Sequence, residues 1–140
     1  MATVTVTHQD GDRFQIDVRG HRLWVDQPHR DAAEAGPTPT ELFVTSLAAC
    51  VGHYAMAFLR RHELAYRGLR VECDWAMRAG RPARVGRLGL RVTPPGEVPA
   101  ELRDGLREAM AHCTVHSSLR QPPMVTIDLA EAPLAPAKDR

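Results

Sequence analysis

Between Leu42 and Leu59 the chain is apolar on almost every side of a helix, with Thr45, Ser46, Gly52 and His53 the only breaks in the pattern. The run has a built start. Thr38 stands at the N-cap position, Pro39 at the first helical position, and Glu41 completes a capping box. The spacing predicts one helix from about Pro39 to His62. A run of 18 residues approaches the length that crosses a bilayer. It nevertheless holds a histidine, two aliphatic hydroxyls and many small alanines, and it is a single segment in a β-rich chain, so a buried central helix is expected and no membrane partner. A helix apolar on so many sides needs cover on as many. One sheet covers one stripe, so the remainder calls for a second copy of the chain, a homodimer with an apolar interface.

Most of the other segments alternate in twos. Val4 and Val6 share a face in a strand over about Thr3 to His8, and Asp10-Gly11-Asp12 turns the chain. Phe14, Ile16 and Val18 form a second strand, and Leu23 and Val25 a third after Gly20. Leu69, Val71, Cys73, Trp75 and Met77 alternate with Arg70, Glu72, Asp74 and Arg78, as in a half-exposed antiparallel sheet. Leu88, Leu90 and Val92 make its neighbour. Leu102, Leu106 and Met110 fall at spacing four in a second helix over about Pro99 to His112. Val125, Ile127 and Leu129 read as a last strand facing inward, and residues 131–140 as a frayed tail. The order is βββ-α-ββ-α-β, an α+β fold of antiparallel sheets around two central helices. At 140 residues, with 44% apolar and 25% charged side chains, residues 1–140 suit one folded domain. Lys+Arg 18 against Asp+Glu 17 leaves a net charge of +1, which gives no electrostatic argument for nucleic acid. An aromatic content of 5% is too low for a base-stacking platform.

Three cysteines are too few for a disulfide framework, and Met1 to Arg13 has no signal-peptide pattern. A reducing, cytoplasmic location is expected, where a disulfide is more often catalytic than structural. Cys73 lies on the apolar face of an ordinary strand and reads as structural. Cys50 lies mid-way in the long helix, among small residues, where a free cysteine is ordinarily a buried core thiol. Cys113 ends the second helix in the polar stretch His112-Cys113-Thr114-Val115-His116-Ser117-Ser118-Leu119 and is expected to reach solvent or a cleft. A buried and an accessible cysteine on two helices could meet as a redox pair. Cys50 with His53, and Cys113 with His116, also repeat the C-x-x-H spacing that a Cys2His2 zinc site uses. Nucleotide-binding, nucleophile-elbow and H-E-x-x-H motifs are absent from the sequence, and no cofactor is implied.

Two segments taken together resemble the OsmC/Ohr family. Gly36-Pro37-Thr38-Pro39-Thr40-Glu41-Leu42-Phe43 with Leu47-Ala48-Ala49-Cys50 is similar to its helix start and peroxidatic-cysteine helix. Cys113-Thr114-Val115-His116-Ser117-Ser118-Leu119 is similar to its second motif. The resemblance spans about Val4 to Leu129 and departs at Thr114, where proline is usual, at His116, where serine is common, and at Thr40, where the Ohr branch has an acid. It implies an intertwined dimer that reduces organic hydroperoxides, or hydrogen peroxide, through thiols. Cys50 would be the peroxidatic and Cys113 the resolving thiol, with an external dithiol as reductant. It also implies an activating arginine, for which Arg13 is the first choice and Arg19 and Arg22 are competitors. Glu41 would orient that arginine or serve only as the cap. An ordinary thiol is only a few per cent ionised at neutral pH, and a shift of about two pH units corresponds to roughly 2.7 kcal/mol, which one close guanidinium can supply. Val44, Leu47 and Met56, from one subunit or both, are expected to form an apolar wall favouring organic peroxides. A binding protein for a small hydrophobic ligand on the same fold, and a zinc-stabilised dimer, are the alternatives.

Overall fold

The structure, a computed structural model, describes residues 1–132. In order it has β1 (Val4–Asp10), β2 (Arg13–Val18), β3 (His21–Val25), α1 (Pro39–Arg61), β4 (Arg70–Arg78), β5 (Arg84–Thr93), α2 (Ala100–Ala111) and α3 (Thr114–Arg120). The predicted α+β class is observed, with two antiparallel sheets, β1-β2-β3 and β4-β5. In the first sheet Val6 pairs with Ile16 and Ile16 with Leu23, so the apolar positions of all three strands share one face. The β2–β3 turn is the two-residue pair Arg19-Gly20, both left-handed at φ 46° and 78°, which suits the twist of a tight hairpin. In the second sheet Val71 faces Val92, Cys73 faces Leu90 and Trp75 faces Leu88. A register shift between Ala76 and Met77 then brings Gly86 so near Arg78 that a Cβ there would lie 2.7 Å from the arginine's own.

The capping box forms as its residues dictate. The Thr38 hydroxyl accepts the Glu41 N–H at 3.1 Å, and the Glu41 carboxylate accepts the Thr38 N–H at 3.4 Å. From there Val44, Leu47, Val51, Ala55 and Phe58 recur every three or four residues and make the buried stripe of α1. Its C-terminal half packs with Leu59, Val98 and Leu106 into one core cluster. Gly105 lets α2 come close, since a Cβ there would lie 3.2 Å from the Phe58 ring. Its N-terminal half, Leu47 and Val51, forms a second cluster with Cys113. By length and composition α1 could cross a membrane, but it packs here against α2, α3 and both strands of the second sheet. Only 33% of its most apolar 18-residue window is buried within one chain.

Two expectations are corrected. Val125, Ile127 and Leu129 do not form an inward-facing strand. They are 75%, 92% and 101% exposed in a segment without regular structure, because neither sheet of the chain pairs with it. The polar stretch after Cys113, which the element order βββ-α-ββ-α-β leaves without an element, forms the helix α3. Of the expected frayed tail, 131–132 carry no regular element and 133–140 lie outside the described residues.

The loop between β3 and α1 is organised by Asp26, which is 2% exposed. Its carboxylate accepts N–H bonds from Gln27 at 2.8 Å and Ala35 at 3.0 Å, and the His29 ring lies 2.9 Å away. The Ala35 and Gln27 N–H groups, followed by His29, hold its pKa down to about 2 against the opposing effect of burial. A carboxyl depressed in the folded state stabilises it above the ordinary range near pH 4. That contribution fades as pH falls towards about 2. Asp26→Asn is therefore expected to lower stability at neutral pH and to flatten the fall in melting temperature between about pH 4 and pH 2. Melting curves across that range, wild type against variant, test this; parallel curves would refute it.

Candidate functional site

The two cysteines that sequence reasoning paired do come together. α1 brings Cys50 against the cluster of Leu47, Val51 and Cys113, with Leu88, Leu90 and Val115 closing around it. Cys113 is the N-cap of α3. Its sulfur accepts the His116 N–H at 3.3 Å, three residues on. The expected accessibilities are reversed. Cys113 is fully buried at 0% exposure and Cys50 is partly open. The polar neighbours of Cys113 suggested solvent, but they turn outward on α3 while the cap sulfur turns in. Burial is the largest influence on the Cys113 thiol and pushes its pKa up. The His116 N–H opposes this, and the adjacent Cys50 thiol pushes it further up.

The capping geometry also accounts for one C-x-x-H pair, since the three-residue spacing of Cys113 and His116 joins a cap sulfur to a backbone N–H. Among the described residues no group of three or more His, Cys, Asp or Glu could hold a metal, so the four residues of the zinc alternative do not assemble within one chain.

Cys73 lies on β4 opposite Leu90, with its thiol 3.8 Å from the Asp74 carbonyl oxygen. Burial first, and Asp74 second, push its pKa up. Arg13 lies across from Asp26, its Nε 4.0 Å from the carboxylate. Arg22 pairs with Asp17 at 3.1 Å, and Arg19 sits in the β2–β3 turn. All three stand on the first sheet, whereas Cys50 and Cys113 lie beside the second. Glu41 is occupied in the capping box.

Within one chain Val44, Leu47 and Met56 line separate cavities. At 3.6 residues per turn Met56 points about 120° from Val44 and about 180° from Leu47. Leu47 lines a cavity of about 310 Å³ with Leu88, Leu90, His116, Leu119 and Arg120. Val44 lines one of about 400 Å³ with Ala48, Val71 and Cys73, and Met56 one of about 330 Å³ with His53, Tyr66 and Leu69. Sequence reasoning also missed Tyr54, whose hydroxyl lies 2.9 Å from the Thr114 hydroxyl and ties α1 to α3. Its position one turn after Cys50 was the available signal.

Two helices distant in the chain thus set a pair of free thiols side by side in an antiparallel α+β frame. Residues 30–128 match the OsmC-like protein family, and the chain belongs to it. No curated protein matches the chain. Among solved structures it is similar to a putative osmotic stress induced and detoxification response protein from Psychrobacter arcticus 273-4, with 26% identity, 84% of this chain and 88% of that one covered, and a TM-score of 0.73. An organic hydroperoxide resistance protein OsmC from Legionella pneumophila shares the fold at 15% identity, 86% and 89% coverage and a TM-score of 0.62. The organic hydroperoxide resistance protein OhrB of Bacillus subtilis does so at 20% identity, 87% and 92% coverage and a TM-score of 0.59.

Proposed function

We propose that the chain is a cytoplasmic thiol peroxidase that reduces organic hydroperoxides, with Cys50 as the peroxidatic and Cys113 as the resolving thiol. The observation that carries this reading is the adjacency of those two sulfurs, brought from α1 and from the start of α3. Their accessibilities suit the roles. The partly open Cys50 meets peroxide, and the buried Cys113 is protected from it and receives an oxidised neighbour. The Cys50 thiolate attacks one peroxide oxygen, the O–O bond breaks, and an alcohol leaves as the sulfur becomes a sulfenic acid. Cys113 displaces hydroxide from that sulfur to form the disulfide, and an external dithiol restores both thiols by exchange.

The working unit in this reading is a homodimer. Val4, Val6, Phe14 and Leu23 on the first sheet are exposed apolar residues, as are Trp75 and Met77 on the second and Met124, Val125, Ile127 and Leu129 beyond α3. Patches on this scale are normally covered. A second copy would cover them and bring a guanidinium, Arg13 first among the candidates, to activate Cys50, with Glu41 at the head of α1 orienting it. Light scattering is expected to give about twice the 15.5 kDa chain mass; a monomer at micromolar concentration would refute the dimer. The function is tested by titrating thiols after exposure to cumene hydroperoxide. Loss of two of the three thiols per chain, recovered as a Cys50–Cys113 disulfide, is expected. Unselective loss, or none, would remove the reading.

A further inference from the structure

α3 is an element with little of its own to hold it. It has seven residues, none of them buried, and an isolated helix of that length does not persist in water. Three things fix it. Val115 packs on the Leu47, Val51 and Cys113 cluster. The Cys113 sulfur caps it through the His116 N–H. The Tyr54 hydroxyl is bonded to the Thr114 hydroxyl at 2.9 Å, the one side-chain hydrogen bond that joins α3 to another element among the described residues.

Tyr54 follows Cys50 by four residues, so the two project from one face of α1, a turn apart. Thr114 follows Cys113 directly. The bond between Tyr54 and Thr114 therefore ties the backbone next to one sulfur to the helix face that carries the other. We propose that Tyr54 is a positioning residue for the disulfide step. It acts through Thr114 to keep Cys113 within reach of Cys50. This rests on the peroxidase reading above.

The cap makes the tether necessary. In the reduced chain the Cys113 sulfur helps hold α3 by accepting the His116 N–H. Once that sulfur attacks the sulfenic acid that an organic hydroperoxide leaves on Cys50, it is no longer an electron-rich thiolate or thiol and accepts the His116 N–H less well. The Cys113–Cys50 S–S bond forms, the S–O bond of the sulfenic acid breaks, and hydroxide departs with the Cys113 proton as water. At that moment the cap of α3 weakens, and the Tyr54–Thr114 bond keeps its first turn in register. Disulfide geometry tolerates little error: the two Cα atoms must lie within about 7 Å, with the sulfurs correctly directed. Misplacement by about 1 Å can cost orders of magnitude in rate.

The experiment uses the full chain and cumene hydroperoxide under rapid mixing, with dimedone to capture sulfenic acid. Tyr54 is 37% exposed, so Tyr54→Phe removes the hydroxyl without opening the core. In this variant Cys50 is expected to be oxidised at the wild-type rate. Disulfide formation should slow about ten-fold, so that the dimedone adduct of Cys50 accumulates where the wild type shows little. Thr114→Val should act alike from the other side of the bond, and the double variant should be no slower than either single one. Thr114→Ser keeps the hydroxyl and should resolve as the wild type does. A merely structural role would slow both steps together. Should the wild type form the disulfide while Tyr54→Phe and Thr114→Val form it equally fast, the tether is overturned and the peroxidase reading stands. A wild type that forms no disulfide with peroxide overturns both.

Discussion

Cys50→Ser is expected to lower peroxide consumption by at least about three orders of magnitude, equivalent to roughly 4 kcal/mol of lost barrier reduction. A serine hydroxyl does not ionise in the accessible pH range and has no counterpart of the sulfenic acid, so the variant lacks both the nucleophile and the intermediate. Cys113→Ser behaves differently. The first oxidation proceeds, the disulfide cannot form, and one dimedone-reactive sulfenic acid per chain should be trapped. Cys73→Ser is the control. Its sulfur lies across from Leu90 with its pKa pushed up by burial, and the variant should still lose two thiols to peroxide. The resolving step should also show the sign of the Cys113 shift. Because burial raises that thiol above its ordinary value, its thiolate is scarce at neutral pH, and disulfide formation should accelerate as pH rises through the alkaline range. Single-turnover measurements separate the steps. Full turnover by Cys50→Ser would end the assignment, and a resolving rate flat with pH would remove Cys113 as its limiting nucleophile.

What the sequence disclosed follows the range of the forces involved. The Thr38–Glu41 capping box is closed by groups three residues apart, so its residues sufficed to place the start of α1. The β4 and β5 alternation reports one buried and one wet face, and the register that joins Cys73 to Leu90 follows it. Val125, Ile127 and Leu129 carry the same alternation, but a pattern states only that a face wants cover and not what supplies it. Among the described residues of one chain nothing covers them. α3 escaped notice because a cysteine is an unusual cap and Thr114 to Arg120 has little apolar periodicity. The Cys50–Cys113 pairing came from two motifs together. The reversal of their exposure could not have come from either, since it depends on how α1, α2 and β5 close around the turn between α2 and α3. Val44, Leu47 and Met56 line separate cavities of one chain for a simpler reason, because the angular spacing of a helix parts Met56 from the other two.

Gly36→Ala is expected to be strongly destabilising although it adds only one methyl group remote from the thiols. A Cβ at this position would be driven into the Trp24 carbonyl oxygen, with the carbonyl carbon at 2.8 Å. Both atoms are backbone of β3, held in the ladder opposite Gln15, so neither can swing aside as a side-chain tip would. The segment must instead lift off the strand. Lifting it strains two bonds that seal the same seam, Asp26 N–H to the Pro37 carbonyl at 3.2 Å and Ala35 N–H to the Asp26 carboxylate at 3.0 Å. Overpacking against an unyielding neighbour costs about 1–3 kcal/mol, and each strained hydrogen bond adds about 1 kcal/mol. A loss of about 3 kcal/mol should lower the melting temperature by about 10 °C, compared at one protein concentration. Gly89→Ala supplies the contrast. Its added Cβ meets only the Asp74 carbonyl oxygen at 3.9 Å, an ordinary contact, and should change stability by less than about 1 kcal/mol. If Gly36→Ala melts within about 2 °C of the wild type, the seam is more pliable than its contacts imply. The consequence reaches the site, because the chain passes from Gly36 directly into the Thr38 cap that fixes where α1 begins. α1 carries Cys50 and Tyr54, so a shifted start displaces both relative to Leu88 and Leu90 of β5, which close around Cys113. Disulfide formation should then slow in Gly36→Ala even at temperatures where the chain is fully folded.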